Sequence, residues 1–125
     1  MSGVRVLVVE DDPSVRGLLH TLLVAEGYDV STASDGLAGL GQAAAISPAL
    51  VLLDLVMPDL GGARVLQELR DDPALSAIPV IVVTGQEDAV PGVRLLLGDD
   101  NVFLKPFAVE ALLGRVGAVT GGPSR

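Results

Sequence analysis

An apolar run interrupted by a single carboxylate constrains this chain more than any other feature of its sequence. Residues 51–58 read Val-Leu-Leu-Asp-Leu-Val-Met-Pro, with Asp54 as the one charged residue. A run this short and this hydrophobic indicates a strand buried on both faces, which is typical of a parallel sheet. Asp54 then lies at the carboxyl end of that strand, where ligands bind in open α/β sheets. Taken alone, Asp54 is equally well explained as a turn former.

The size and composition of the chain set the scale of the fold. Its 125 residues fit one domain, and 50% of them are hydrophobic, which is enough for a substantial core. Because only two Phe and one Tyr are present, we expect a core of Val, Leu, Ile and Ala. The absence of cysteine excludes a disulfide framework and thiolate metal sites.

Charge and hydropathy narrow the function. A net charge of -8 argues against direct nucleic-acid binding by this domain, because such binding needs a basic surface. No apolar stretch approaches the roughly 20 residues that span a membrane. The first residues lead into a strand pattern without a signal peptide. We therefore expect a cytoplasmic protein with no membrane partner.

Strand and helix patterns alternate along the chain. Apolar, β-branched runs predict strands at 4–9, 28–33, 51–58, 79–83 and 102–104. Apolar residues at helical spacing predict helices at 13–26, 37–46, 63–71, from about 91 to 98, and 107–119. Five such units indicate a single α/β domain with a parallel sheet and helices on both faces. Residues 120–125 are predicted to be a tail or the start of a linker.

Local signals support the first predicted helix and weaken the second. Asp12 and Pro13 suit the N-cap and first position of the first helix, and Gly27 suits its C-cap. Gly39 and Gly41 lie inside the second predicted helix, where each costs about 1 kcal/mol relative to Ala.

Four of the predicted strands end in polar residues that do not belong to a core. In chain order these residues are Glu10-Asp11-Asp12, Asp54, Thr84 and Lys105. Because the carboxyl ends of parallel strands meet at one edge of a sheet, we expect these side chains to converge. Converging carboxylates repel one another, and a hard divalent cation such as Mg²⁺ or Mn²⁺ relieves that repulsion.

A carboxylate, a divalent cation, a lysine and a hydroxyl together form a site for a phosphoryl group. The carboxylate can act as the nucleophile, while the cation and lysine neutralise charge on the transferred oxygens. Simpler explanations exist for each residue alone. The acidic triplet can be a helix cap, Thr84 can be an ordinary strand end, and His20 is expected at the surface, off the apolar side of its helix.

Four motifs in order give the chain a family resemblance. They are VLVVEDDP, LLDLVMPDLGG, VIVVTG and FLKPF, at residues 6–13, 52–62, 80–85 and 103–107. The sequence resembles the receiver (phosphoacceptor) domain of two-component response regulators, over residues 4 to about 119. The resemblance implies a receiver domain at 1–119 with the flavodoxin-like doubly wound fold, strand order 2-1-3-4-5.

The resemblance also implies a role for each site residue. Asp54 would be the phosphorylated aspartate. Asp11 would be a direct Mg²⁺ ligand and Glu10 a ligand through water, with Asp54 and the backbone carbonyl of Val56 completing the protein ligands. Asp12 matches a position where an acid is less strictly required.

Two further residues would complete the phosphoryl site. Thr84 would be the switch hydroxyl that moves to the phosphoryl group, and Lys105 the lysine that pairs with it. The Lys105-Pro106 peptide is commonly cis in the family. Val56 and Gln86 match positions that tune dephosphorylation.

The chain departs from the family pattern at the fifth strand. The family usually has Tyr or Phe three residues before the lysine, and here that position is Val102. Strand alternation places Val102 and Leu104 on one face, so Phe103 points the other way and is a poor substitute. The segment between Thr84 and Lys105 also looks one residue shorter than the common pattern.

Three functions follow as hypotheses. The first is a phosphoacceptor signalling domain that takes its phosphoryl group from a sensor histidine kinase or a phosphotransfer protein. It would alter a contact surface on the fourth helix, fifth strand and fifth helix for an output domain or partner protein. Such a domain is no enzyme beyond its own phosphoryl transfer and autodephosphorylation. The second is an interaction module of the same fold that does not switch. The third is an enzyme on a related sheet, such as a flavin carrier or a Mg²⁺-dependent phosphatase.

Overall fold

The computed structural model describes residues 3–123, and within that range it contains five strands and five α-helices in alternation. The strands are β1 (Arg5–Val9), β2 (Asp29–Ala33), β3 (Leu50–Leu53), β4 (Val80–Thr84) and β5 (Val102–Leu104). The helices are α1 (Pro13–Glu26), α2 (Gly36–Ile46), α3 (Gly62–Asp71), α4 (Val90–Leu97) and α5 (Val109–Thr120). Short 3-10 turns at Glu87–Ala89 and Asp99–Asn101 flank α4.

The strands form one parallel sheet in the order β2-β1-β3-β4-β5. This confirms the predicted doubly wound α/β architecture. Val9 at the end of β1 lies opposite Leu53 at the end of β3, and Leu53 lies opposite Val82. This register brings the carboxyl ends of the strands to a common edge, so the residues that follow them are neighbours.

Alternate residues of each strand face two separate cores. One core joins β1, β3 and β4 to α1 and α5, and its helical members are Leu19, Leu23, Leu112 and Val116. The other core joins the opposite face of the sheet to α2, α3 and α4 through Ala43, Val65, Leu66, Leu69 and Val90. The central strands are therefore buried on both faces, as the unbroken apolar runs predicted.

The predicted caps of α1 are confirmed. The backbone N–H of Ser14 donates to Asp12 Oδ1 at 2.8 Å, and Pro13 is the first helical residue. Gly27 ends the helix in the left-handed region with φ at 103°, a conformation that favours glycine.

The two glycines of α2 differ in their surroundings. A Cβ on Gly39 would lie 2.8 Å from Val9 Cγ2, so the helix approaches β1 closely only because this position has no side chain. A Cβ on Gly41 would meet nothing within 4 Å. The helix is weakened at Gly39 for the sake of packing, whereas no contact in the structure accounts for Gly41.

Two predicted boundaries were wrong by more than one residue. The third strand ends at Leu53 and does not extend to Met57 or Pro58. Leu55 and Met57 are nevertheless buried, at 8% exposure each, in the loop that follows. Hydrophobicity reports burial and not extension, so it could not separate this loop from the strand. The fifth helix begins at Val109 and not at Phe107, because Ala108 is extended (φ -78°, ψ 120°), as N-cap residues typically are.

The carboxyl end of α5 is packed into the domain. Helix α5 continues to Thr120, and Thr120 Oγ1 lies 3.1 Å from the buried Tyr28 hydroxyl. Beyond it, the Val4 N–H donates to the Pro123 carbonyl at 2.9 Å, which ties residues 121–123 to the start of β1. Residues 124 and 125 of the predicted tail lie outside the described residues, and the division at 119/120 stays a prediction.

None of the helices within residues 3–123 has both the length and the apolar character needed to cross a membrane.

Alanine at the two glycines of α2 should have opposite effects. Gly41→Ala should raise the free energy of unfolding by about 0.5–1 kcal/mol, because it adds helix propensity without a new contact. Gly39→Ala should lower it by about 1–3 kcal/mol, because the new methyl group overpacks against Val9. Urea unfolding followed by circular dichroism measures both, and stabilisation by Gly39→Ala would contradict the close-packing explanation.

Candidate functional site

Side chains from three strand ends meet at the carboxyl edge of the sheet. Lys105 Nζ lies 2.7 Å from Glu10 Oε1 and 3.4 Å from Asp54 Oδ2. Glu10 follows β1, Asp54 follows β3 and Lys105 follows β5. The predicted convergence of these residues, which are up to 95 positions apart in the chain, is therefore present.

Backbone hydrogen bonds continue the sheet into the site and fix where each side chain starts. The Glu10 N–H donates to the Ala33 carbonyl at 3.0 Å, and the Asp54 N–H donates to the Val9 carbonyl at 3.0 Å. The Lys105 N–H donates to the Thr84 carbonyl at 2.8 Å. Each of these site residues directly follows the last residue of a strand and is still hydrogen-bonded to the neighbouring strand, so little conformational freedom remains in its backbone.

The site is buried and strongly charged. Glu10 is 1% exposed and Asp54 is 5% exposed. Burial, together with the neighbouring Asp54 carboxyl, raises the pKa of Glu10 to about 7, although Lys105 opposes this shift. Burial lowers the pKa of Lys105, but its pairing with Glu10 and Asp54 outweighs burial and raises that pKa. Charged Lys105 is therefore the counterion of this buried acidic site.

The acidic residues are close enough to share one cation. Glu10, Asp11 and Asp54 each offer a carboxylate oxygen, and these oxygens lie within 4.8 Å of one another. All the donors are hard oxygens, and a single lysine does not neutralise three carboxylates. This chemistry fits Mg²⁺, which prefers oxygen ligands and retains some of its water.

The loop after β3 completes the surroundings of Asp54. The Val56 N–H donates to Asp54 Oδ1 at 3.2 Å, and the Val56 residue is 55% exposed beside the acidic site. The use of the Val56 carbonyl as a metal ligand stays a prediction. Gly62 closes the loop, since its N–H donates to the Leu55 carbonyl at 2.9 Å. A Cβ on Gly62 would clash with the Asp54 carbonyl oxygen, so this glycine has a structural role beyond a loop signal.

Thr84 and Gln86 lie at the end of β4. Thr84 is fully buried, and its Oγ1 accepts a hydrogen bond from the Gln86 N–H at 3.1 Å. Gln86 itself is exposed, as is Val56 in the loop after β3. The two positions expected to tune dephosphorylation are thus accessible to solvent, whereas the Thr84 hydroxyl is buried and bonded to the Gln86 backbone.

Two expectations about neighbouring residues are confirmed, and a question that the sequence left open, the isomer of the Lys105-Pro106 peptide, is answered. Asp12 caps α1 through its side chain, and His20 is exposed. The Lys105-Pro106 peptide is cis.

The fifth strand has the predicted alternation. Val102 is 5% exposed and packs, with Leu104, in the core beneath α2, α3 and α4. Phe103 packs against the opposite core, which contains α1 and α5. Phe103 therefore does not replace an aromatic side chain at position 102.

Arg16 is a site residue that sequence reasoning missed. Its guanidinium Nη1 donates to the Glu10 carbonyl at 2.9 Å and to the Asp11 carbonyl at 3.2 Å. A cation on the first turns of α1 thus holds the backbone that carries two of the acidic residues. The sequence did contain a signal, because Arg16 lies one turn into a helix that follows three acidic residues. That signal suggests an ion pair with a carboxylate, whereas the observed acceptors are backbone carbonyls.

Residues 6–117 match the family model of the response regulator receiver domain. The chain belongs to this family. It is 40% identical over 118 residues to the DNA-binding dual master transcriptional regulator RpaA of Synechocystis sp., covering 92% of this chain and 48% of that protein. It is 39% identical over 115 residues to the DNA-binding response regulator MtrA of Mycolicibacterium smegmatis, covering 91% and 49%. The chain spans about half the length of these curated relatives.

The fold comparison agrees with the family. The chemotaxis protein CheY4 of Vibrio cholerae superposes with a TM-score of 0.81 at 27% identity, covering 93% of this chain and 98% of that chain. A receiver domain of a two-component system with a flavodoxin-like fold is therefore shown, and its acidic cluster fits a Mg²⁺ site.

Substitution of Asp11 by asparagine should have opposite effects on the stability of the metal-free domain and on its affinity for Mg²⁺. Asp11→Asn removes one of three mutually repelling carboxylates, so the free energy of unfolding without Mg²⁺ should rise by about 1 kcal/mol. The same change removes a ligand, so Mg²⁺ affinity should fall roughly 10-fold or more. Thermal unfolding in EDTA and in MgCl₂ measures both effects.

Asp12→Asn is the matched control for that experiment. Asparagine is as good an N-cap as aspartate, and Asp12 lies outside the group of three carboxylates. The control should bind Mg²⁺ as the wild type does. Equal loss of Mg²⁺ affinity in both variants would contradict the assignment of Asp11 to the metal site.

Proposed function

We propose that this receiver domain accepts a phosphoryl group on Asp54, in the presence of Mg²⁺, from a sensor histidine kinase or a phosphotransfer protein. The observation that supports this most directly is the placement of Asp54. Its carboxylate is buried, lies 3.4 Å from Lys105 and shares an acidic cluster with Glu10 and Asp11. A nucleophile, a cation and a metal-binding group are thus within one site.

The transfer requires few groups. One oxygen of Asp54 forms a bond to phosphorus while the phosphorus–nitrogen bond of the donor phosphohistidine breaks, and the donor imidazole keeps the electron pair and takes up a proton. Lys105 neutralises charge on the transferred oxygens, and the Thr84 hydroxyl donates a hydrogen bond to one of them. Mg²⁺, when bound by Glu10, Asp11, Asp54 and the Val56 carbonyl, supplies further neutralisation.

Hydrolysis would reset the domain. Water attacks the phosphorus, and the Asp54 carboxylate leaves with release of inorganic phosphate. The side chains of Val56 and Gln86 are exposed and match the positions that tune dephosphorylation in the family, so they would set the rate. The domain is in this sense a self-modifying signalling component in the cytoplasm and not an enzyme acting on a separate substrate.

The output would be made through protein contact. Lys105 and Thr84 are joined by a backbone hydrogen bond at the ends of β5 and β4, so a phosphoryl group that attracts both would act on β5 and the helices beside it. We propose the surface of α4, β5 and α5 as the contact for an output domain or partner protein. Two relatives are named as DNA-binding regulators, and such an activity would belong to an output region and not to this acidic domain.

The acceptor assignment is tested with beryllofluoride, a stable mimic of the phosphoryl group. The wild type should bind it only when Mg²⁺ is present, and Asp54→Asn should abolish binding because the neutral amide replaces the carboxylate oxygen that bonds beryllium. Asp12→Asn, a neighbouring acid outside the site, should bind it normally. Fluorine NMR of the bound mimic measures this, and Mg²⁺-independent binding or binding by Asp54→Asn would reject the proposal.

A second candidate is an interaction module that does not switch. The buried Val102, where the family usually has an aromatic residue, favours it. Under the main proposal, beryllofluoride with Mg²⁺ should shift the amide resonances of Val102 and of α4, because Thr84 and Lys105 move toward the site. Shifts confined to the loops around Asp54 and Lys105 would favour the non-switching module instead.

A further inference from the structure

The loop that follows Asp54 is tied to the N-terminus of a different helix. Asp59 Oδ1 accepts a hydrogen bond from the Gly36 N–H at 3.0 Å, and Asp59 Oδ2 accepts one from the Leu37 N–H at 3.0 Å. Gly36 and Leu37 are the first two residues of α2. One carboxylate, from the loop between β3 and α3, thus serves two free N–H groups of α2.

Helix α2 already has a cap of its own. Asp35 is its N-cap residue, and Asp35 Oδ1 accepts a hydrogen bond from the Ala38 N–H at 2.8 Å. The amides of Gly36 and Leu37 hold the pKa of the Asp59 carboxyl below its usual range, so Asp59 is ionised at neutral pH. Asp59 is therefore a second anion at a helix end that is already capped, and it comes from a distant part of the chain.

Close packing accompanies these hydrogen bonds. A Cβ on Gly36 would lie 2.8 Å from Val65 Cγ2 in α3 and 3.0 Å from the Cβ of Leu60, the residue that follows Asp59. The absence of a side chain at Gly36 is what lets the loop lie against the helix end. The contact between the loop and α2 is thus both polar and steric.

The same loop carries the metal-site groups. It leaves β3 at Asp54, whose Oδ1 accepts from the Val56 N–H, and it closes where the Gly62 N–H bonds the Leu55 carbonyl. Val56 lies between these points and is 55% exposed, so its own side chain does little to hold its carbonyl, although its neighbours Leu55 and Met57 are buried. Beyond Met57, the hydrogen bonds of Asp59 to α2 are a polar restraint on the outer half of the loop, alongside the packing of Leu60 against the core.

We propose that Asp59 is a positioning residue for the Mg²⁺ site: by bonding the N-terminus of α2, it holds the Asp54–Gly62 loop in the conformation that presents Asp54 and Val56 to the metal. This inference rests on the proposed metal site. It has a reciprocal consequence, because a contact that favours metal binding is itself favoured by the metal to the same degree. Mg²⁺ should therefore strengthen the bonds from Gly36 and Leu37 to Asp59.

The two caps of α2 provide a matched pair of variants. Asp59→Ala and Asp35→Ala each remove one carboxylate from the same helix end, and only Asp59 belongs to the loop. Both variants should lower the unfolding temperature. Asp59→Ala should also weaken Mg²⁺ binding roughly 10-fold, which is typical for loss of a group that orients a ligand, while Asp35→Ala should bind Mg²⁺ as the wild type does. Isothermal titration calorimetry with MgCl₂ measures the affinities.

Amide hydrogen exchange gives a second readout that does not depend on a change of affinity. In the wild type and in Asp35→Ala, Mg²⁺ should slow exchange at Gly36 and Leu37. The slowing should be by roughly the same factor as the loss of Mg²⁺ affinity in Asp59→Ala, because the coupling is reciprocal. The effect should be absent in Asp59→Ala. Asp59→Asn, which keeps the size of the side chain and one acceptor oxygen, should fall between the wild type and Asp59→Ala in both measurements.

The outcomes separate this inference from the proposed function. A wild type that binds no Mg²⁺ overturns both. A wild type that binds Mg²⁺, with Asp59→Ala and Asp35→Ala changing its affinity equally or not at all, overturns the positioning role and leaves the proposed function standing. A drop in affinity confined to Asp59→Ala and graded in Asp59→Asn supports the role.

Discussion

One ion cluster at the edge of the parallel sheet, where Lys105 pairs with Glu10 and Asp54, is the constraint that the rest of the structure has to accommodate. Buried carboxylates repel each other and lose hydration, so such a cluster contributes little to stability by itself. The pKa of Glu10 is raised for the same reasons, namely burial and the neighbouring Asp54 carboxyl. The domain tolerates the cluster because two apolar cores, one on each face of the sheet, hold the strands beneath it. Folding energy from hydrophobic burial is thus used to keep charged groups in a geometry they would not adopt alone.

The groups that hold the site in place are mostly bonded to backbone. Arg16 donates to the carbonyls of Glu10 and Asp11, and Asp59 accepts from the first amides of α2. Gly62 matters because it has no side chain to push against Asp54. Side chains that bond backbone fix the course of a loop without competing for the metal or the phosphoryl group. The acidic side chains are therefore left free to bind a cation, because the groups that fix their positions bond the backbone and not the carboxylates.

The residues proposed for phosphoryl transfer match the family more closely than those proposed for signal output. The acidic cluster and Lys105 are in place at one edge, and the Lys105 N–H reaches the carbonyl of buried Thr84 through a single hydrogen bond. At position 102, by contrast, a buried valine packs beneath the helices of one face, and Phe103 packs on the other. In the proposed function, a movement at the site would reach β5 through the backbone hydrogen bond that joins the ends of β4 and β5. The aromatic side chain that the family usually has at this position is replaced by Val102.

The sequence by itself determined the alternation of strands and helices, the caps of α1 and the convergence of Glu10, Asp54 and Lys105, because these follow from periodicity and from the rule that parallel strands end at one edge. It could not separate β3 from the buried loop after Leu53, since both are apolar. It did not reveal Arg16 or Asp59 as parts of the site. Their partners are carbonyls and amides, which every residue has, and the partners of Asp59 lie 22 and 23 positions away. Only the packing of α2 against the β3–α3 loop decides which backbone groups come within hydrogen-bond distance, and that packing is a property of the whole fold.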